Sequence, residues 1–326
     1  MRALLCKAHG LPESLTVENL PSPEPGPGQV VVSVKAAGVN FPDALIIQDK
    51  YQIKPPLPFA PGAELAGVIK AVGAGVTRFE PGDRVCGTSG YGAFVEEIAI
   101  DADKLFSLPA AVPFDVGGAF LLTYATSYHA LRDRAQLAAG ENLVVLGAAG
   151  GVGVAAIEIG KLLGARVIAC ASSADKLAVC RAHGADATID YSTEDLKESI
   201  RALTNGRGAD VVYDPVGGPY AEPALRSTGW RGRYLVIGFA NGDIPRLPLN
   251  LPLLKGSSIV GVFWGAYARN EPEHAAKSIS ELLGLLVAGQ LRPEISGRYS
   301  LTEAPRALRA MLERKVTGKV VIQPEA

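Results

Sequence analysis

The 326-residue sequence is poor in the residues that build metal knuckles and disulfide frameworks. It contains four cysteines and four histidines, and no two cysteines stand at CxxC spacing. This scarcity argues against a zinc knuckle and against a disulfide-stapled fold. We therefore expect four reduced thiols, at Cys6, Cys86, Cys170 and Cys180, in a cytoplasmic protein.

The sequence also lacks an excess of charge and any long apolar run. Thirty-two basic residues against 33 acidic ones leave a net charge of −1, which gives no electrostatic argument for binding nucleic acid or an anionic membrane. No apolar run reaches the length of a membrane span, and the first residues do not resemble a signal peptide. The length suits one large domain or two ordinary ones.

Residues 1–122 are rich in glycine, proline and β-branched residues. The segments 30–34 and 65–72 predict short strands, and Pro-Gly pairs such as Pro61-Gly62 and Pro81-Gly82 predict turns between strands. Short strands separated by turn signals are typical of a compact, barrel-like β domain.

Residues 123–264 change to buried strands that alternate with helices. The continuous apolar run 143–148 is typical of a strand buried on both faces, and apolar residues then recur at helical spacing until Gly164. Further strands are predicted at 167–171, 187–190, 210–214, 234–238 and 259–263. Six strands separated mostly by helices predict an α/β fold with a doubly wound parallel sheet.

Residues 265–326 are too few for a core of their own. They predict a long helix over 274–288, a second helix that starts near Thr302, and a closing strand over 319–322. We therefore expect this stretch to return to the first domain, so that the domains are 1–122, 123–264, and 265–326 joined to the first.

The most informative local motif is a glycine-rich turn between a buried strand and a helix. Glycine lets the backbone approach a pyrophosphate closely, and the N–H groups at the start of the next helix face its oxygens. The turn predicts dinucleotide binding, although a turn needed only for tight packing would look similar. Its cofactor-binding candidates are Gly147, Ala149, Gly150, Gly151, Val152 and Gly153.

The end of the next strand bears on the choice between NAD and NADP. An NAD site usually places Asp or Glu there for the ribose 2′-hydroxyl, whereas this sequence has Ser172, Ser173 and then Lys176. Two hydroxyls and an ammonium suit a 2′-phosphate, so we predict NADPH as the cofactor. The alternative is that the serines only cap the helix and Lys176 lies on its solvated face.

Six short segments of the chain form a recognisable series: 38–43, 61–67, 81–85, the Gly147 turn, 213–218 and 317–320. They resemble the medium-chain dehydrogenase/reductase superfamily, in particular its zinc-free NADPH:quinone oxidoreductase (zeta-crystallin-like) branch. The segments occur in the order of that family and span essentially the whole chain. The resemblance implies a GroES-like β-barrel catalytic domain and a six-stranded Rossmann domain.

The same resemblance bears on the metal. The zinc-dependent alcohol dehydrogenases of this superfamily have metal ligands where this chain has Asn40 and Ala63, and a further one near Leu122. Glu64 remains, but one carboxylate cannot hold a catalytic zinc ion that needs three protein ligands. We therefore expect no metal site.

The resemblance also assigns the catalytic candidates. It places Asn40 near the nicotinamide, where its NH₂ group would donate to the acceptor oxygen, and Tyr51 in the same pocket. The alternatives are an Asn that fixes its own turn and an ordinary loop tyrosine. A further family tyrosine is replaced by Leu45, which makes the pocket more apolar. Asp43 and Glu64 are interpreted as structural residues paired with arginine or backbone groups.

Cofactor contacts are expected from several other segments. The resemblance places Thr126 at the cofactor, Tyr191 by the 2′-phosphate, and Lys319 approaching the cofactor from the first domain. His129 is interpreted as a packed residue rather than a base. The candidates at the carboxyl ends of strands, where ligands bind in such sheets, are Gly238, Phe239, Val262 and Trp264.

The favoured function is hydride transfer from NADPH to a quinone. A reductase of enones or enoyl thioesters such as acryloyl-CoA, and a non-catalytic NADPH-binding protein, remain alternatives. The apolar segment 259–263 would be the last strand of the sheet, and because exposed edges are normally paired we expect a homodimer.

Overall fold

The computed structural model describes residues 1–325, which form two compact units. Met1–Leu122 and the chain from Pro293 onward make the barrel domain, and Thr123–Arg292 make the nucleotide-binding domain. We predicted that the chain returns to the first domain from residue 265, but the structure places this return at Pro293.

Fifteen strands account for the two main sheets and a small hairpin. They are β1 (Arg2–Leu5), β2 (Thr16–Asn19), β3 (Gln29–Val39), β4 (Glu64–Val72), β5 (Arg84–Thr88), β6 (Glu97–Asp101), β7 (Leu105–Ser107), β8 (Asn142–Val145), β9 (Arg166–Ala171), β10 (Ala187–Asp190), β11 (Ala209–Asp214), β12 (Thr228–Val236), β13 (Ser258–Gly261), β14 (Ile295–Ser300) and β15 (Lys319–Gln323).

The helices lie mainly in the nucleotide-binding domain. They are α1 (Phe41–Ile46), α2 (Phe114–Gly117), α3 (Leu121–Tyr128), α4 (Gly151–Leu162), α5 (Ala174–Ala182), α6 (Leu196–Leu203), α7 (Ala221–Arg226), α8 (Asn250–Lys255), α9 (Trp264–Asn270), α10 (Pro272–Val287) and α11 (Ala304–Leu312). A π-helical turn, His129–Arg134, continues α3.

The sheet of the nucleotide-binding domain is parallel throughout and has the order β10-β9-β8-β11-β12-β13. This confirms the predicted six-stranded doubly wound sheet. β8 ends at Val145, earlier than predicted: Leu146 still donates to Tyr213 O of β11, but the positive φ of Gly147 then turns the chain out of the strand. The central strands β8, β9 and β11 are buried on both faces, as their apolar composition requires, whereas the edge strand β13 is largely exposed.

The barrel domain has a mixed sheet in the order β14-β15-β3-β4-β5-β7, and β6 pairs with β3. β3 is long enough to pair with β4, β6 and β15, so it joins the sheet around one core. The side chains of Leu4, Val32, Leu65 and Leu308 belong to that core. The predicted GroES-like β domain is confirmed.

Helix α10 explains why the chain returns to the barrel domain at Pro293 and not at residue 265. Its apolar face buries Ile279 and Leu282, and its Glu281 accepts a hydrogen bond from the Tyr128 hydroxyl at 2.7 Å. These contacts lie within the nucleotide-binding domain and hold α10 there. The sequence pattern identified the helix but not the domain against which it packs.

Within residues 1–325, none of the helices is both long and apolar enough to cross a membrane. All four cysteines are buried and free. Burial raises the pKa of the Cys86 thiol to about 12 and that of Cys180 to about 12, so these thiols stay protonated at neutral pH.

Candidate functional site

In the barrel domain, strand register brings distant polar residues together. Gly38 pairs with Glu64 between β3 and β4, and Val39 pairs with Val320 between β3 and β15. Asn40 directly follows β3, and Lys319 begins β15. A Cβ on Gly38 would lie 2.4 Å from Glu64 Oε1, so only glycine leaves room for this carboxylate.

The Lys319 ammonium lies inside this cluster, with its side chain 4% exposed. Its Nζ donates to Val39 O at 2.9 Å, to Asn40 Oδ1 at 2.6 Å and to Glu64 Oε1 at 2.8 Å. We predicted that Lys319 approaches the cofactor. In the structure all three ammonium hydrogens are directed at oxygens of the barrel domain.

The Asn40 carboxamide also has internal hydrogen-bond partners for both its nitrogen and its oxygen. Its Nδ2 donates to Glu64 Oε1 at 2.9 Å and to Gly38 O at 3.3 Å, while its Oδ1 accepts from Lys319. The residue is buried. We predicted that this NH₂ group donates to the acceptor oxygen, but both of its hydrogens already have partners.

Glu64 is the centre of the cluster and is almost completely buried. Its Oε1 accepts from Lys319 and Asn40, and its Oε2 accepts from the backbone N–H of Leu122 at 3.0 Å. We expected an arginine or backbone partner. The charged partner is a lysine that stands 255 residues away in the chain.

Asp43 lies beside this cluster, where it caps helix α1. Its Oδ2 accepts from the backbone N–H of Asn40 at 2.7 Å, and Gly62 donates a further backbone hydrogen bond. Burial raises the pKa of the Asp43 carboxyl to about 7 despite these donors. Tyr51 is half-buried nearby, and burial, with the Asp43 charge, raises the pKa of its hydroxyl.

In the nucleotide-binding domain, the predicted glycine-rich turn joins β8 to α4. The first helical bond runs from Val154 N to Gly150 O at 2.8 Å. The N–H groups of Gly151, Val152 and Gly153 therefore precede the helical ladder and point out of its N-terminus. This is the geometry that binds a phosphate group.

The glycines of the turn are required by close packing. A Cβ on Gly153 would lie 2.5 Å from Gly147 O and 2.6 Å from Ala148 Cα, and one on Gly147 would lie 2.8 Å from Val216 Cγ2. Ala149 is buried. Because backbone atoms crowd Gly153, its alanine variant cannot keep the same turn.

The predicted 2′-phosphate residues lie together at the carboxyl ends of β9 and β10. Lys176 Nζ donates to Ser172 Oγ at 3.3 Å, and Ser173 caps helix α5. The backbone N–H of Tyr191 bonds to Ala171 O at 3.1 Å, which places its ring at the same corner. The Tyr220 ring packs against Tyr191 with 4.3 Å between centroids.

The ends of β11, β12 and β13 lie at the same edge of the parallel sheet. Phe239 is partly exposed there, Gly238 N lies 3.4 Å from Asp214 O, and Val262 N lies 3.1 Å from Val236 O. Trp264 is buried against His129 rather than open to solvent. The predicted strand-end residues therefore share an edge but not the same exposure.

Helix α3 carries Thr126, which is partly buried. The neighbouring Ser127 donates from Oγ to Val152 O at 3.0 Å and lies 2.8 Å from the Tyr213 hydroxyl. These bonds fasten α3 to the start of α4. His129 stacks on Tyr267 with centroids 3.9 Å apart and bonds to Asp133, as expected for a packed histidine.

Three residues that shape this edge were missed from the sequence. Asp214 is buried and its Oδ1 accepts from Val216 N and Gly217 N at 2.7 and 2.8 Å, which builds the turn after β11. An Asp that ends a buried strand before Pro-x-Gly was the available signal. Ser127 and Tyr220 carried no comparable signal, because their partners are distant in the chain.

Asp43 predicts a specific pH dependence of stability. Its raised pKa means that the folded state binds this proton more tightly than the unfolded state, so stability from this group falls as pH rises from about 4 to about 7. Asp43→Asn should remove that contribution. The difference in unfolding free energy between wild type and variant should then change by up to about 1.4 kcal/mol per pH unit in that window.

Urea unfolding at pH 4 to 8 measures this difference. Asp175→Asn, which changes an exposed carboxyl on α5, serves as the control and should run parallel to wild type. Parallel curves for Asp43→Asn as well would mean that Asp43 does not titrate in this range.

Comparisons with known proteins agree with this architecture. Residues 26–110 match the family described as alcohol dehydrogenase GroES-like domain, and residues 151–281 match the family described as zinc-binding dehydrogenase. A quinone oxidoreductase-like protein 2 homolog from Nematostella vectensis is 39% identical, covering 98% of this chain and 88% of that protein. A quinone oxidoreductase from Pseudomonas aeruginosa is 38% identical, covering 97% and 98%.

Among solved structures, the Escherichia coli quinone oxidoreductase complexed with NADPH superposes with a TM-score of 0.94 at 31% identity, covering 99% of this chain and all of that one. Sequence and fold therefore agree over nearly the whole length. The chain belongs to the quinone oxidoreductase branch of the medium-chain dehydrogenase/reductase superfamily, and it is an oxidoreductase.

Proposed function

We propose that this protein is an NADPH:quinone oxidoreductase that transfers a hydride to a quinone without zinc. The observation that carries the proposal is the carboxyl edge of the parallel sheet. There a helix N-terminus with free N–H groups stands beside a corner of hydroxyls and an ammonium. Relatives named quinone oxidoreductase support the acceptor class.

The preference for NADPH rests on Ser172 and Lys176. An ammonium and a hydroxyl 3.3 Å apart can both donate to one phosphate group, and β9 ends without a carboxylate that would repel it. Tyr191 closes the corner with an aromatic ring and a hydroxyl. β9 also lacks the terminal Asp or Glu that usually accepts a hydrogen bond from the ribose 2′-hydroxyl of NADH.

The residues of the barrel cluster do not suit zinc, although one of the matching families is described as zinc-binding. Ala63 offers no ligand atom, and Glu64 Oε1 already lies 2.8 Å from the Lys319 ammonium, whose charge would repel a divalent cation. Within residues 1–325, no group of three or more His, Cys, Asp or Glu side chains is placed to hold a metal ion.

Quinone reduction does not need a metal. Bound NADPH would supply the hydride, and the negative charge that develops on the conjugated quinone oxygen needs a hydrogen-bond donor and then a proton. With Asn40 and Lys319 occupied by internal partners, Tyr51 is the remaining predicted catalytic residue with a hydroxyl to donate. The hydride and one proton complete the hydroquinone, and solvent returns to Tyr51 the proton that it donates.

The reaction is tested by following NADPH oxidation by EDTA-treated protein, with quinones in one series and acryloyl- or crotonyl-CoA in another. We expect NADPH oxidation with quinones, at a rate that EDTA treatment does not lower. Tyr51→Phe should lower kcat by about 10- to 100-fold, the loss of one proton donor, and leave KM for NADPH unchanged. Turnover of the thioesters alone would reassign the enzyme to enoyl reduction, and NADPH binding without turnover would indicate a non-catalytic protein.

The cofactor preference is tested separately with Ser172→Ala/Lys176→Ala. Because hydrogen bonds to a charged group contribute about 1.5–3 kcal/mol, Kd for NADPH should rise by about 10- to 100-fold while Kd for NADH stays the same. Lys197→Ala, an exposed lysine on α6, is the matched control and should bind NADPH like wild type. An equal loss for both cofactors would place the 2′-phosphate elsewhere.

We further propose a homodimer formed through the edge strand β13. This strand pairs with β12 on one side only, and large apolar side chains on and near it are exposed: Trp230, Leu253, Leu254, Ile259 and Phe263. A second copy related by a two-fold axis would continue the sheet and cover this surface. The exposed apolar side chains and the unpaired edge of β13 both favour a second copy of this chain as the partner.

Light scattering coupled to size exclusion tests the dimer. Wild type should elute at twice the mass of one chain, and Ile259→Asp should elute at the mass of a single chain because it places a charge at the interface centre. Leu11→Asp, a change at an exposed leucine of the barrel domain, should remain dimeric. A monomeric wild type would overturn the proposal.

A further inference from the structure

We propose that Lys319 is a built-in cation: a positioning residue whose ammonium fixes the Asn40 carboxamide and the Glu64 carboxylate. It does so in place of contacting the cofactor. The inference rests on the geometry of the barrel domain. Only the test that measures enzyme activity rests on the proposed quinone reductase function.

The contacts of Lys319 are those of a bound cation. Its three hydrogens meet three oxygens at 2.6–2.9 Å: a backbone carbonyl at the end of β3, the Asn40 amide oxygen, and the Glu64 carboxylate of β4. A primary ammonium has three donors, and this cluster provides one acceptor for each. No hydrogen of the ammonium remains for an external phosphate.

Electrostatics makes the ammonium necessary. The Glu64 side chain is 1% exposed and the Lys319 side chain 4%. A carboxylate at this depth is stabilised by opposite charge and by donors, which here are Nζ, Asn40 Nδ2 and the Leu122 N–H. Removing the ammonium alone would leave an uncompensated buried charge, which is strongly destabilising.

The ammonium also decides how the Asn40 amide is oriented. The amide oxygen faces the positive Nζ, and the amide nitrogen faces the negative Glu64 oxygen. A rotation of the amide by 180° would place its NH₂ group against the ammonium and its oxygen against the carboxylate. The charge pair therefore holds Asn40 in one orientation and keeps the backbone that leads into α1 in place.

Loss of the side chain should open a site for a small cation of the same chemistry. Lys319→Ala removes four heavy atoms, including the ammonium, but leaves the oxygens of Val39, Asn40 and Glu64. A primary alkylammonium ion of about the same length, such as propylammonium, can donate three hydrogen bonds to them. Tetramethylammonium carries the same charge but has no hydrogen to donate.

Thermal unfolding of Lys319→Ala is the first measurement. In sodium chloride, Tm should fall by roughly 5–15 °C relative to wild type, as expected for a broken buried pair in a chain of this size. Propylammonium chloride should restore part of that loss with saturation, and tetramethylammonium chloride should not. Lys315→Ala, an exposed lysine four residues earlier, should respond to neither salt. An equal response to all salts would overturn the proposal.

The activity of the same variant separates positioning from cofactor contact. With a quinone acceptor, Lys319→Ala should lower kcat at least about tenfold with KM for NADPH unchanged, and propylammonium should restore turnover. A rise in KM for NADPH with kcat unchanged would mean that Lys319 contacts the cofactor. If wild type reduces no quinone, the proposed function fails, whereas the thermal measurement still decides the role of Lys319.

A double variant covers the case in which Lys319→Ala does not fold. Glu64→Gln/Lys319→Met removes both charges, so it should fold with a higher Tm than Lys319→Met alone. This gain is the signature of a buried charge left unpaired by the single change. A double variant that is no more stable than Lys319→Met would show that the ammonium does not compensate Glu64, and the proposal would be wrong.

Discussion

The buried ion pair between Glu64 and Lys319 is the constraint on which the barrel domain depends. It exists only if β3 pairs in register with both β4 and β15, because a shift of one residue would turn either side chain to the other face of the sheet. Gly38 must lack a side chain for the carboxylate to enter. The charge pair, the register and the glycine therefore depend on one another.

The nucleotide-binding domain depends on a different constraint, the common direction of its six strands. Because all are parallel, every strand ends at one edge, and the turns that follow β8, β9, β11 and β12 gather there. Asp214 and Ser127 then fix two of these turns with hydrogen bonds to their backbone. Turns that are far apart in the sequence therefore become neighbours because their strands run in the same direction, and no local sequence pattern marks their contacts.

The sequence was sufficient to predict strands, helices and turns, but not the residues with which their side chains pair. The apolar runs located all six parallel strands, and the glycine spacing located the turn before α4, because periodicity and backbone geometry are local properties. The partners of Asn40 were not predictable: Lys319 stands 279 residues away, and only the pairing of three strands brings it near. For the same reason α10 was assigned to the wrong domain, since its apolar face does not reveal what it packs against.

The two domains also differ in how their polar groups are satisfied, and this difference bears on function. In the barrel domain, the hydrogen-bond donors of Asn40 and Lys319 are all taken by internal acceptors, as the proposed positioning role requires. In the nucleotide-binding domain, the N–H groups at the start of α4 have no acceptor within the helix. Under the proposed function, recognition of the cofactor phosphates would therefore belong to this edge of the parallel sheet. The charged residues of the barrel domain hold its scaffold, and under the proposed function the Tyr51 hydroxyl is the group that would assist the acceptor.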